Sequence, residues 1–148
     1  EINPNIPLVV GIDGRKMSKS YDNTIEIFCE EKELKSKIAR IVTDATPVEA
    51  PKDPAKCNVF INISLFLNEE EKAELAARYR KGGVKYSDVK KELFARMWEY
   101  FRPARERRRK LEKDIDQIRA LLKRGAQKAR DQAAPTLDLV RKRVGLVY

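Results

Sequence analysis

Ser87-Asp88-Val89-Lys90-Lys91-Glu92-Leu93-Phe94-Ala95-Arg96-Met97-Trp98-Glu99-Tyr100-Phe101 decides the fold class. Val89, Leu93, Phe94, Met97, Trp98 and Phe101 recur at three- and four-residue intervals, the period of a helix with one buried side. Ser87 is the expected N-cap, and Met97 and Trp98 read as core side chains rather than ligand contacts. Working back, Gly82-Gly83 should stop a preceding helix over 69–79, which Asn68 caps and Glu69, Glu70 and Glu71 favour at its positive end. Residues 58–67 are short and almost wholly apolar, so they should be buried. A Pro-broken connector covers 46–54, and a helix is expected over 30–43 with Leu34, Ile38, Ile41 and Val42 apolar. Working forward, Pro103 should kink or restart the chain. Leu111, Ile115, Ile118 and Leu122 then follow at 4-3-4 spacing. Gly125 and Pro135 should punctuate a last helical stretch, with Leu137, Val140 and Val144 facing inward. The start differs: 3–7 is turn-rich, Leu8-Val9-Val10 reads as a short strand, and 25–28 as a second extended piece. The expected fold is mainly α, a helical bundle preceded by a short strand and a loop.

Composition narrows the function. A chain of 148 residues is ordinarily one domain with room for one core. Hydrophobic residues make up 42% and charged ones 37%, which fits a surface-rich helical protein, and no apolar run approaches membrane-spanning length. There is no His, which excludes a Ser–His–Asp triad and a His general base. Cys29 and Cys57 stand alone, which argues against zinc and for small core residues in a reducing compartment. No metal site is expected. The net charge is +9, and residues 1–101 balance at 17 of each sign, so the whole excess lies in 102–148. Basicity confined to one end is the footprint of a polyanion, usually nucleic acid. Arg105, Arg107, Arg108 and Arg109 are the candidate phosphate contacts. Asp114 and Asp116 in the same stretch could accept from base amino groups, or could simply pair with neighbouring lysines.

The string Gly11-Ile12-Asp13-Gly14-Arg15-Lys16-Met17-Ser18-Lys19-Ser20-Tyr21-Asp22-Asn23-Thr24-Ile25 concentrates phosphate-handling groups. Gly11 and Gly14 bracket a turn. Beyond it lie three cations and the hydroxyls of Ser18 and Ser20. Two ammonium groups on one loop can surround a polyphosphate and offset charge that develops in displacement at phosphorus. A solvated basic loop without a ligand is the plain alternative.

Lys16-Met17-Ser18-Lys19-Ser20 resembles the signature loop of class I aminoacyl-tRNA synthetases, and the wider string resembles that of bacterial tryptophanyl-tRNA synthetases. Val42-Thr43-Asp44, Asn58-Val59-Phe60, residues 79–83 and Arg105-Glu106-Arg107-Arg108 match in order and approximate spacing. The family often carries Gly where this chain has Asp22. The resemblance spans nearly the whole chain, and it implies the C-terminal part of a synthetase, without the N-terminal nucleotide-binding domain. It implies residues 1–28 as the end of a catalytic domain and 29–148 as a helical domain that meets the tRNA anticodon arm. It implies ATP with magnesium as substrate, Lys16 and Lys19 as catalytic residues, and Lys16, Met17, Ser18, Lys19 and Ser20 as ATP contacts. The implied partners are tRNA, the N-terminal catalytic domain and, in the intact enzyme, a second subunit; the implied location is the cytoplasm. The fragment alone should lack activity. A tyrosyl-type synthetase fragment, a stand-alone basic RNA-binding module and a helix–helix interaction protein are the other readings.

Overall fold

The structure is a computed structural model that describes residues 8–146. Among these residues it holds six α-helices and no sheet. They are α1 (Glu31–Ala39), α2 (Asn58–Ile63), α3 (Glu69–Lys81), α4 (Tyr86–Tyr100), α5 (Arg102–Glu112) and α6 (Ile115–Arg143). The contacts divide the chain after Arg105 into two compact units.

In the first unit α4 packs across α1 and α2. Leu34 and Ile38 from α1, Val59 and Ile63 from α2, Tyr79 from α3 and Leu93 from α4 are all but fully buried. Each such aliphatic side chain contributes ~1.5–3 kcal/mol of burial. Tyr79 sits at the centre, edge-on to Phe60 with ring centroids 5.2 Å apart. Burial, above all, pushes its phenol well above the usual tyrosine range.

The helix ends show which local rules prevailed. Asn68 caps α3 in a reciprocal box: its side chain accepts from the Glu71 N–H at 2.8 Å, and Glu71 accepts from the Asn68 N–H at 2.9 Å. Gly82, at φ 91°, ends the helix as expected. The start of α4 departs from expectation by two residues. Tyr86 opens it behind an uncapped Lys85, and Ser87 lies inside the first turn. Tyr86 is held from outside, its hydroxyl donating to Asp44 Oδ1 at 2.8 Å. The connector before it is organised by Lys52, only 5% exposed, whose ammonium donates to the carbonyls of Pro47, Val48 and Ala50 at 2.6, 3.0 and 3.1 Å.

Expectations about the irregular segments are corrected as well. Leu8-Val9-Val10 is not a strand: the chain reverses at once, and Val10 makes one antiparallel bridge, to Lys16. Residues 25–28 are irregular, with a turn at Ile27 and Phe28. Helix α1 stops at Ala39 rather than near Thr43, because the Val42 N–H is used by the loop, donating to Ile12 C=O at 2.8 Å.

Pro103 restarts the chain as foreseen, as the second residue of α5. Asp114 then breaks the 4-3-4 pattern by capping α6, accepting from the Gln117 N–H at 3.0 Å. Neither Gly125 nor Pro135 interrupts α6. Leu137, Val140 and Val144, expected inward, are 49%, 50% and 62% exposed. The helical period sorts residues onto faces but does not by itself supply something for a face to pack on.

Candidate phosphate loop and basic helices

The loop is built on a tight reversal. Gly11 N–H donates to Arg15 C=O and Met17 N–H to Val9 C=O, both at 2.8 Å. Gly14 takes φ 84° in the turn. Ser18 then caps a single 3-10 turn, Lys19–Tyr21, its hydroxyl accepting from the Ser20 N–H at 3.3 Å. Asp22 closes that turn in the left-handed region, φ 50° and ψ 31°. Glycine is the residue that takes this conformation without steric cost.

One side chain holds these pieces together. Asn23 is 1% exposed. Its Oδ1 accepts from the Ser18 N–H at 2.8 Å, and its Nδ2 donates to Lys16 C=O at 3.0 Å and to Asp13 Oδ1 at 2.8 Å. Asp13 also accepts from the Arg15 N–H at 3.0 Å and from Arg15 Nε at 2.7 Å. The Asn23 bond first, then those from Arg15, hold its carboxyl at about 2, below the usual range. The Arg15 guanidinium lies 4.7 Å over the Tyr21 ring.

Arg15 is thereby occupied. Lys16 and Lys19 are exposed and, among the described residues, engage in no ion pair. Met17 packs against the core, and Ser18 is half-buried. The arrangement presents two free ammonium groups from a fixed backbone, with the Ser20 hydroxyl exposed nearby in sequence, and can receive an anion.

The root of the loop is tied to the helices. Asn58, at the start of α2, donates from Nδ2 to Val42 C=O at 3.0 Å. A Cβ on Gly14 would come within 2.8 Å of the Asn58 amide. A Cβ on Gly11 would collide with the Asn23 amide and lie 2.7 Å from its carbonyl oxygen. Close approach to the Asn23 backbone and amide requires glycine at 11, and the positive φ requires it at 14, where the Asn58 amide is the end of a side chain that can shift.

The basic residues divide. Arg105 is 7% exposed, its guanidinium 3.5 Å over the Trp98 ring and donating to the Trp98 carbonyl. Its place is inside the first unit. Arg107, Arg108 and Arg109 are exposed on α5, Arg108 donating from Nε to Glu112 at 2.7 Å. Asp114 is spent on its cap, and Asp116 lies 3.5 Å from Arg119. No described helix is long and apolar enough to cross a membrane.

Comparison with known proteins places this arrangement. Residues 2–102, including the whole loop, match the family described as tRNA synthetases class I (W and Y). The chain belongs to that family. This synthetase chain is 46% identical over 138 residues to the tryptophan–tRNA ligase of Rhodopirellula baltica, covering 93% of the chain and 43% of that protein. It is 43% identical over 145 residues to the tryptophan–tRNA ligase of Campylobacter jejuni, covering 98% and 46%. The solved Campylobacter jejuni tryptophanyl-tRNA synthetase complexed with ADP and tryptophan superposes with a TM-score of 0.85 at 44% identity, covering 97% of this chain and 45% of that one. The chain thus spans less than half the length of the relatives it matches. Within the synthetase loop, the reading from sequence missed Asp13 and Asn23. An Asx residue on each side of a Gly- and Ser-containing loop was the available signal, since such side chains bond to nearby backbone.

Proposed function

We propose that this chain is the C-terminal part of a tryptophan–tRNA ligase, acting with an N-terminal catalytic domain in a homodimeric cytoplasmic enzyme. The observation that carries the reading is the loop itself: exposed Lys16 and Lys19 leave a backbone pinned by Asn23, in a chain whose relatives are tryptophan–tRNA ligases. In that enzyme the tryptophan carboxylate attacks the α-phosphorus of ATP. Tryptophanyl-adenylate forms, pyrophosphate leaves, and the aminoacyl group passes to tRNA. Lys16 and Lys19 hold the phosphates and stabilise the charge that develops on the leaving pyrophosphate. Ser18 and Ser20 shape the loop, and Met17 anchors it to the core. On this division residues 1–28 close the catalytic domain and 29–148 form the tRNA-binding helical part.

Magnesium belongs to the nucleotide. The described residues hold no group of three metal-ligating side chains, and the Asp13 carboxylate is already taken by Asn23 and Arg15. The tRNA backbone meets the exposed Arg107, Arg108 and Arg109, a sequence-independent contact. Arg105 supports the fold on Trp98 instead, and Asp114 and Asp116 serve their own helix.

The test is pyrophosphate exchange by the full-length enzyme with Lys19→Ala. Losing one preorganised charge should slow turnover about 10²–10³-fold and leave the KM for tryptophan near wild type. Unchanged turnover with a raised tryptophan KM would remove the loop from the chemistry.

A further inference from the structure

The backbone between the two exposed lysines is bonded to a buried residue outside the pentapeptide. Asn23 uses one amide in both directions. Its oxygen accepts from the Ser18 N–H, while its nitrogen donates to the Lys16 carbonyl and to Asp13. These bonds bracket Met17, so the backbone that carries Lys16 and leads into Lys19 is fixed from behind. The Asn23 main chain fastens the other side of the loop, its carbonyl accepting from the Ile12 N–H at 3.0 Å. Asp13 stands behind the amide, itself fastened to Arg15 by two bonds. Gly11 leaves the room in which the amide lies.

We infer that Asn23, backed by Asp13, is the positioning residue of the polyphosphate loop, setting where the Lys16 and Lys19 ammonium groups stand before the nucleotide arrives. The inference rests on the reading of residues 15–20 as an ATP-phosphate loop. The chemistry at position 23 is demanding. Ser18 needs an acceptor, while Lys16 and Asp13 both need a donor. An aspartate has the same shape and satisfies only the first. It would also turn a carboxylate toward that of Asp13. Glutamine has the right groups on a longer stem, in a buried site where Gly11 already lies close against the amide.

The experiment compares Asn23→Asp and Gly11→Ala with wild type and with Lys19→Ala. Gly11→Ala disturbs the same amide by collision and leaves residue 23 unchanged. In this chain, hydrogen exchange reads the Ser18 amide, which should be protected in wild type and exchange at least about tenfold faster in both variants. In the full-length enzyme, kcat/KM for ATP should fall about tenfold to a hundredfold while the KM for tryptophan stays put. A merely structural asparagine would not confine its effect to ATP. Helical circular dichroism identifies any variant that fails to fold, and the other variant then carries the test. A Ser18 amide that exchanges equally fast in wild type and variants overturns the inference. Faster exchange with wild-type ATP kinetics, where Lys19→Ala is impaired, overturns the positioning role and leaves the phosphate loop standing. Wild-type ATP kinetics in Lys19→Ala as well would overturn the phosphate reading and this inference with it.

Discussion

Replacing Lys52 by methionine removes one charge and three hydrogen bonds from a side chain of similar length. The ammonium donates to Pro47, Val48 and Ala50 carbonyls at 2.6–3.1 Å and lies 5.5 Å from the Tyr86 ring centroid. Hydrogen bonds from a charged donor contribute about 1.5–3 kcal/mol each, which would exceed 4 kcal/mol for three. Two terms reduce this. Pro47 and Val48 are exposed, so water can replace the ammonium at their carbonyls, and removing a 95%-buried cation recovers its desolvation. A net loss of about 2–3 kcal/mol remains. The damage should spread along the connector, since Gly83 N–H donates to Val48 C=O at 2.8 Å and Lys52 N–H to Tyr79 C=O at 2.8 Å. Urea unfolding of this chain, followed by far-ultraviolet circular dichroism, gives the change directly. A loss below about 1 kcal/mol would mean that the carbonyls are as well served by water as by Lys52, and the argument for a lysine-organised connector fails.

Two further outcomes follow from the site. Arg105→Ala should lower stability by about 1–2 kcal/mol and shift Trp98 fluorescence, whereas Arg109→Ala should leave stability unchanged, weaken tRNA binding and flatten its salt slope by about one unit; thermal melts and tRNA titrations at several salt concentrations separate them. The Asp13 carboxyl, at about 2 in the folded protein, lies below its unfolded value, so its contribution to loop order is complete above the unfolded value and lost as pH falls through about 2; a carboxyl-carbon titration by NMR with an ordinary midpoint would contradict the Asn23 and Arg15 contacts.

The helical frame was legible because it rests on local signals. Asn68 with Glu71, Gly82 and Pro103 each act through bonds or torsions that the next few residues determine. The apolar set of α4 needed only the helical period. What escaped was non-local. The end of α1 depends on a carbonyl at Ile12, about thirty residues earlier, and the anchoring of Tyr86 at the start of α4 on a carboxylate at Asp44. The exposed lysines of the loop stood out by charge, whereas Asn23, an ordinary polar residue in sequence, is significant only through the three groups that fold around it. Arg105 was misplaced for a related reason: composition marks a basic run, but only packing shows which arginine lies against Trp98.

The loop rests on two glycine–asparagine contacts, Gly11 against Asn23 and Gly14 against Asn58. Each contact ties the mutational fate of one position to another far along the chain. A side chain at Gly14 pushes the Asn58 amide aside and meets the positive φ of the turn, which is the larger obstacle. A side chain at Gly11 has to displace the amide on which Ser18 and Lys16 depend. Changes at Gly11 and Asn23 are therefore each costly in the background of the other, and their effects will not add. In descent Gly11 and Asn23 change in order or together, so that pair should be visible as co-variation among related sequences long after the surface around it has diverged.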